Sequence, residues 1–291
     1  MASLLKSMEV VENNNSNNNV RQSETLINPD SLCERLADKN SLGFCVAVGK
    51  STIDHEEAGE GLFATGEIKR GSVVAIYPGR VYMPYQFASI HKEFLQHQGS
   101  DSDPKDLSDT AREYTSIFGT KDEPNMAKIQ RYDGVIINAT RDGASRLNPF
   151  AFGHKINHPP AGVAPNLMVC PYDFPPVDRN ISGVADMEER EMDPFQMAVH
   201  RFMRLFTSLG NRKSGSTPLK LSPYIPNKYW EKPHLLSYDL EVEVQSLVLV
   251  ATRDISNNEE LFVNYRFNPE MELPKWYHPV DSNEDRRRWG L

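Results

Sequence analysis

The chain has 291 residues, 39% of them hydrophobic, and a formal net charge of −8 from 40 acidic against 32 basic side chains. A chain of this length can bury a large core, and no apolar run approaches the roughly 20 residues needed to span a bilayer. The charge argues against direct nucleic-acid binding, which requires clustered lysine and arginine. We therefore expect an intracellular soluble protein, in the nucleus or the cytoplasm, that binds neither membrane nor nucleic acid.

The predicted elements begin after residue 27, because residues 1–27 include an asparagine-rich stretch with little to bury and are expected to be disordered. A short helix is predicted over residues 28–41. Short apolar runs then predict three strands, at residues 44–48, 61–65 and 73–77. We interpret Lys69-Arg70-Gly71 as a hairpin turn that joins the second and third of them.

Two helices are predicted within the strand-rich part of the chain. The first runs from about residue 84 to 98, with an apolar face, a glycine at 99 to end it, and a polar loop at 99–110. Its apolar face consists of Phe87, Ile90, Phe94 and Leu95. The second runs over residues 193–209 and begins at Asp193, an N-cap followed by proline.

Further strands are predicted at residues 134–138, 247–251 and 261–265, with a turn at 254–258. Many short strands with helices inserted between them favour an α+β fold over an alternating βαβ fold.

Four short blocks follow one another along these elements, and they are the most informative pattern in the chain. Each block alone is a weak signal, since a glycine pair before a strand or an Asn-His dipeptide is usually only a turn. Their fixed order carries the information. The blocks are Gly59-Glu60-Gly61-Leu62-Phe63-Ala64, Tyr77-Pro78-Gly79, Ile156-Asn157-His158 with Pro165-Asn166, and Glu260-Leu261-Phe262-Val263-Asn264-Tyr265.

The order and spacing of these blocks resemble a SET domain, the knotted β fold of S-adenosylmethionine-dependent protein lysine methyltransferases. Within that superfamily the chain is most similar to a small group typified by SET-domain-containing protein nine, and the likeness extends from Leu42 to Tyr265. The resemblance implies a SET domain over residues 42–267, with the two helices as insertions. It also implies a pseudoknot in which Asn157-His158 threads beneath the loop around the last block, a rare exception to unthreaded topology.

The resemblance implies a site for S-adenosylmethionine and two catalytic tyrosines. Tyr265 is expected to orient the substrate amine, and Tyr77 to line the lysine channel. A neutral phenol suits this role because it forms hydrogen bonds without placing a charge beside the sulfonium. The residues expected to contact the cofactor are Gly59, Glu60, Gly61, Leu62, Asn157, His158 and Tyr265.

The glycines also fit this interpretation on chemical grounds, because a residue without Cβ lets the backbone approach a ligand closely. Their alternative interpretation is a glycine turn that enters a strand. The third block departs from the pattern of the family, since His154-Lys155 stands for Arg-Phe and Pro159-Pro160 for Ser-Cys. In the last block Asn264 stands where most SET proteins have aspartate.

Three cysteines, at 33, 45 and 170, are too few and too far apart to build a tetrahedral zinc site by themselves. We expect no metal and no structural zinc. The C-terminal segment 268–291 is predicted to replace a zinc-held lid, with Phe267, Trp276 and Tyr277 as the channel roof; simple packing on the core is the alternative. The charged run at 284–288 is interpreted as a solvated tail.

The function indicated by the resemblance is methyl transfer to a protein lysine, with a basic lysine-containing segment as the partner that an acidic surface would attract. Two alternatives stay open. One is a catalytically silent SET module that acts as a protein-interaction domain. The other is an enzyme that methylates a different acceptor, such as a histidine or a protein N-terminus.

Overall fold

The computed structural model describes residues 42–97, 109–119, 125, 127–140, 148–174, 225–231 and 244–291. The nine strands of this part are β1 (Phe44–Lys50), β2 (Glu60–Gly66), β3 (Val73–Ile76), β4 (Gly79–Tyr82), β5 (Lys128–Gln130), β6 (Ile136–Asn138), β7 (Leu167–Phe174), β8 (Asn227–Tyr229) and β9 (Val244–Ala251). Its helices are α1 (Pro84–His97), α2 (Asp109–Phe118) and α3 (Ser282–Arg288), and 3-10 turns lie at Glu56–Ala58 and Gly153–Lys155. The predicted tail, the helix at 28–41 and the helix at 193–209 lie outside the described residues.

The strands form three small sheets, in the orders β1-β2, β3-β9-β7 and β5-β6-β4-β8. All neighbours are antiparallel except β4 and β8, which pair in parallel. The longest ladder joins β7 to β9, from Leu167 opposite Ala251 to Phe174 opposite Val244. Small mixed sheets with few helices confirm the α+β class.

One hydrophobic core joins the three sheets, because their inward faces supply nearly continuous apolar runs. All four residues of β3 are buried, and β9 is buried at every position except Gln245. Burying an aliphatic side chain of this size stabilises a fold by about 1.5–3 kcal/mol. These short strands are therefore held by the shared core more than by their own ladders.

Helices α1 and α2 pack against each other over a second apolar cluster. Tyr82, Ile90, Ile117 and Ile136 are its buried members. The predicted helix at 84–98 is confirmed to within one residue, but Leu95 is 53% exposed instead of facing the core. The polar loop predicted at 99–110 is wrong at its end, since α2 begins at Asp109.

Two local predictions are wrong for topological reasons. The Lys69-Arg70-Gly71 segment is not a hairpin turn, because β2 pairs with β1 and β3 pairs with β9. Residues 261–265 do not form a regular strand. Glu260, Phe262 and Val263 instead make single bridges to three different segments, at Phe63, Asn157 and Leu167 respectively.

The charged run at 284–288 belongs to a helix and is not a solvated tail. Asp281 caps α3 by accepting the amides of Asn283 and Glu284, and Asp285 is buried. In the part of the chain that the structure describes, no helix is long and apolar enough to cross a membrane. The same residues contain no cluster of three His, Cys, Asp or Glu side chains that could hold a metal ion.

Candidate active site

Three of the four blocks meet at the side chain of Asn157. Its Nδ2 lies 3.0 Å from the carbonyl oxygen of Glu60, 3.3 Å from that of Ala58 and 3.3 Å from Oε1 of Glu260. Its own carbonyl accepts the amide of Val263 at 3.0 Å. Segments about a hundred and two hundred residues apart therefore converge on one amide side chain.

Glu260 is the buried anion of this junction, and sequence reasoning did not single it out. Its carboxylate accepts the Ser51 hydroxyl at 2.8 Å, and the amide and hydroxyl of Thr52 at 2.7 and 2.5 Å. A buried carboxylate is tolerated only with such partners. The signal in the sequence was an acidic residue directly before an apolar run, where a core strand was expected.

The two glycines of the first block serve different purposes. Gly59 has φ +52°, which side chains rarely adopt, and a Cβ added there would meet open space. A Cβ on Gly61 would instead overlap the carboxylate of Glu260. The glycine at 61 thus makes room for Glu260, whereas the sequence suggested room for a ligand.

Glu60 and Leu62 point to opposite environments. The carboxylate of Glu60 pairs with the ammonium of Lys155 at 2.7 Å, and the two side chains are 59% and 37% exposed. Leu62 is fully buried in the core, and its carbonyl accepts the amide of Leu261 at 2.8 Å. Only Glu60 presents its side chain where a bound molecule could reach it.

Asn166 locks the last block in place. It is fully buried; its Nδ2 donates to the Glu260 carbonyl at 2.9 Å, and its Oδ1 accepts the Phe262 amide at 2.7 Å. Together with the parallel bridges from Asn157 and Leu167, this places the third and fourth blocks against each other. Such contact is what the predicted pseudoknot requires.

His158 connects the third block to the C-terminal segment. Its Nε2 lies 2.8 Å from the carbonyl oxygen of His278, and its Nδ1 lies 3.3 Å from the amide of Tyr265. These contacts suit a neutral ring that donates from Nε2 and accepts at Nδ1. Burial lowers the pKa of His158 and favours the same neutral state.

The two tyrosines predicted to be catalytic lie together. The hydroxyl of Tyr265 donates to the carbonyl oxygen of Ile156 at 3.0 Å, and burial raises the pKa of Tyr265 to about 12. Burial also raises the pKa of Tyr77, with a smaller contribution from the neighbouring Tyr265. Both phenols are therefore neutral at physiological pH.

Both tyrosines line a cleft of about 530 Å³, measured with its open mouth. The other lining residues are Lys128, Ile129, Gly153, His154, Ile156, Val169, Leu249, Val263, Asn264 and Phe267. Sequence reasoning missed Lys128 entirely and noted His154 only as a departure from the family pattern. Nδ1 of His154 is buried without a hydrogen-bond partner, and burial lowers the pKa of this imidazole to about 4.

Phe267, Trp276 and Tyr277 form an aromatic lid beside Tyr265. The ring centroids of Phe267 and Trp276 lie 5.4 and 6.2 Å from that of Tyr265, and Tyr277 stacks on His158 at 4.4 Å. Trp276 Nε1 donates to Glu57 at 2.5 Å. The lid is held by aromatic packing and main-chain contacts; that segment 268–291 replaces a zinc-held lid stays a prediction.

The unfolding free energy is expected to fall as pH drops from 6.5 towards 4. His154, with a pKa lowered from its ordinary 6.5 to about 4, and His158, also lowered, are neutral in the fold. Their stabilising effect is complete above pH 6.5 and is lost below it, because the unfolded chain then binds more protons. For His154 the loss approaches about 3 kcal/mol at most, at 1.36 kcal/mol per pKa unit.

Urea unfolding at several pH values checks this. A His154→Gln variant should show a shallower fall between pH 6.5 and 4, whereas His278→Gln, whose exposed side chain contributes only in a minor way to the lowered pKa of His158, should stay close to the wild type. Identical slopes for all three proteins would contradict the assignment to His154.

Comparisons with known sequences agree with the resemblance that the motifs indicate. The chain is 26% identical over 253 residues to SET domain-containing protein 9 of Homo sapiens, covering 85% of this chain and 64% of that protein. The protein of the same name from Pongo abelii gives the same identity and covers 71% of its length. The chain thus spans about two thirds of these relatives, and its predicted similarity to this group is confirmed. No family model matches the chain.

Solved structures superpose poorly on this chain as a whole. A candidate histone methyltransferase of Plasmodium falciparum aligns with TM-score 0.29 and 11% identity, over 76% of this chain and 96% of that one. A chain of an active polycomb repressive complex 2 aligns with TM-score 0.33 and 17% identity, over 78% of this chain and 16% of that one.

Proposed function

We propose that this chain is an S-adenosylmethionine-dependent methyltransferase that acts on a protein lysine. The observation that carries the proposal is the pairing of two neutral phenols, the buried Tyr77 and the partly buried Tyr265, in one cleft. The backbone segment that holds Tyr265 also contacts the third block, through the Asn157 carbonyl and the His158 ring. Similarity to SET domain-containing protein 9 supports the same assignment.

The charges of the residues beside the first block are complementary to those of the cofactor. S-adenosylmethionine, when bound, supplies a methyl group activated on a sulfonium, so no other chemical activation is required from the protein. Its amino-acid end carries an ammonium and a carboxylate. The exposed Glu60–Lys155 pair offers one charge for each of them, next to the open backbone at Gly59.

In this proposal the two tyrosines bind and orient the substrate amine. The hydroxyl hydrogen of Tyr265 is engaged by the Ile156 carbonyl, which leaves the phenol oxygen free to accept a hydrogen bond from an amine N–H. A neutral oxygen aligns the nitrogen lone pair without adding a charge. Phe267, the member of the aromatic lid that lines the cleft, would shield this position from water.

The proposed substrate is a lysine in an extended protein segment. The net charge of −8 favours encounter with a basic segment by long-range attraction. The cleft lies against β5, an edge strand of its sheet within the described residues, where an extended chain can lie alongside.

Cofactor binding is expected to weaken about tenfold in Lys155→Ala and in Glu60→Gln, because each loses one charge-assisted contact of roughly 1.4 kcal/mol. Isothermal titration calorimetry of the purified chain with S-adenosylmethionine measures this. Lys69→Ala is the matched control, since that lysine forms an exposed pair with Asp254 away from the cleft. Unchanged affinity in both test variants would contradict this placement of the cofactor.

Methyl transfer itself is tested by incubating the chain with labelled S-adenosylmethionine and cell proteins, then identifying modified residues by mass spectrometry. Methyl-lysine supports the proposal, whereas methyl-histidine or a methylated N-terminus supports the other acceptors. The silent interaction module remains a second candidate, because Pro159, which replaces the usual serine, is buried beside His158 in the third block. Cofactor binding without any transfer would favour that module.

A further inference from the structure

Lys128 is a cation in the cleft, and no carboxylate of the described residues pairs with it. It lies at the start of edge strand β5, partly buried, and its Nζ lies 4.1 Å from the centroid of the Phe118 ring. None of the described residues that line the cleft has an acidic side chain. Burial lowers the pKa of Lys128, and no carboxylate in the part of the chain that the structure describes contributes an opposing shift.

A cation–π contact holds an ammonium in place but does not neutralise it. A partly desolvated charge gains most from a carboxylate, since the attraction is stronger there than in open water. The unpartnered Nδ1 of His154 in the same cleft is a second polar atom whose hydrogen bonding is incomplete. Because Nδ1 of His154 is covered by protein atoms, Lys128 is the group in the cleft that a bound molecule can complete.

We propose that the segment bound in this cleft presents a carboxylate to Lys128. This inference rests on the proposed function, because it describes the substrate of that same site. Because Lys128 and Tyr265 line the same cleft and an extended chain advances about 3.3 Å per residue, the carboxylate lies a few residues from the methyl-accepting lysine. It belongs to an aspartate or glutamate side chain or to a C-terminal carboxylate.

The inference separates two electrostatic effects that act at different ranges. The overall negative charge of the protein attracts basic segments from a distance. Lys128 acts at contact and selects, among those segments, the ones with an acidic group near the target lysine. A uniformly basic tail would place a second cation against Lys128 and bind less well.

The test uses fluorescently labelled peptides with a central lysine and the full chain saturated with S-adenosylhomocysteine. Glutamate, glutamine or arginine is placed at each of the three positions on either side, and a further pair of peptides ends in a free acid or an amide. Fluorescence anisotropy gives the dissociation constants, and labelled S-adenosylmethionine gives methyl transfer in a separate assay. The proteins are the wild type, Lys128→Gln, Lys128→Glu and the surface control Lys69→Gln.

We expect that the peptide with glutamate at one position, or the peptide that ends in a free acid, binds about tenfold tighter than its neutral counterpart, as for a partly buried charge pair. This preference disappears in Lys128→Gln, reverses towards arginine in Lys128→Glu and persists in Lys69→Gln. Whether binding tightens with an internal glutamate or with a free C-terminus shows whether Lys128 contacts a side-chain carboxylate or a terminal one.

Three outcomes overturn the inference: no preference for the acid, a preference that survives Lys128→Gln, or no peptide binding by the wild type. Equal methyl transfer to acidic and neutral peptides would contradict the inference and leave the proposed function intact. A Lys128-dependent preference in binding without any methyl transfer would support the inference and contradict the enzyme.

Discussion

Methyl transfer by Tyr265→Phe is expected to be at least about a hundredfold slower than by the wild type, the usual cost of removing a hydrogen-bonding group that acts on the reacting centre. The hydroxyl removed is the one that lies 3.0 Å from the Ile156 carbonyl in the cleft. Loss of that single hydrogen bond costs only about 1 kcal/mol of stability. Single-turnover transfer of a labelled methyl group, together with urea unfolding, measures both quantities.

Two further variants make this result specific. Tyr132→Phe removes a phenol that is 81% exposed and should transfer methyl groups at the wild-type rate. Tyr77→Phe, in the same cleft, should impair transfer without changing the affinity for S-adenosylmethionine. Wild-type activity in Tyr265→Phe would mean that this phenol does not touch the reacting amine.

Gly61→Ala is expected to destabilise the fold by about 3 kcal/mol, as overpacking against a buried charge does. The new methyl group would overlap the Glu260 carboxylate, whose hydrogen bonds to Ser51 and Thr52 leave it little freedom to move. The free energy of unfolding from urea titration checks the value.

Gly49→Ala is the matched control, because Gly49 lies directly opposite Gly61 in the β1–β2 ladder. A Cβ there meets only the Phe63 ring, at 3.2 Å, so the cost should stay below about 1 kcal/mol once that side chain shifts. Equal costs at the two glycines would contradict the specific role of Glu260.

The strands that sequence reasoning found are those with strong local patterns. Apolar runs predicted β1, β2, β3, β6 and β9 to within a few residues, because each carries its burial signal in its own sequence. β7 was missed: it contains a proline and alternates less clearly, with Met168 half exposed. Its length comes from pairing with β9, which no local pattern reveals.

Pairing between distant segments explains the other errors. The segment between β2 and β3 has the composition of a hairpin turn, but the partner of β3 lies more than 160 residues further along the chain. Residues 261–265 have the composition of a strand, but their hydrogen bonds are divided among three segments. Local propensity identifies strand-like residues and leaves their partners undetermined.

The candidate site was predictable where the motifs carry it and not elsewhere. Tyr265, Tyr77 and Asn157 belong to the recognised blocks, and the structure brings their segments together. Glu260 begins the last block, but its role, like that of Lys128, arises only through tertiary contacts, with Ser51 and Thr52 for Glu260 and with Phe118 for Lys128. A charged residue in a strand-like run gives no sign of which partner will neutralise it.

The bond from His158 to position 278 is made to a main-chain carbonyl, while the His278 side chain stays exposed. Any of the twenty amino acids at that position offers the same acceptor. Evolution can therefore replace residue 278 freely while keeping the anchor of the aromatic lid. Related proteins can share this anchor while having different residues at this position, and a search for conserved side chains would not detect it.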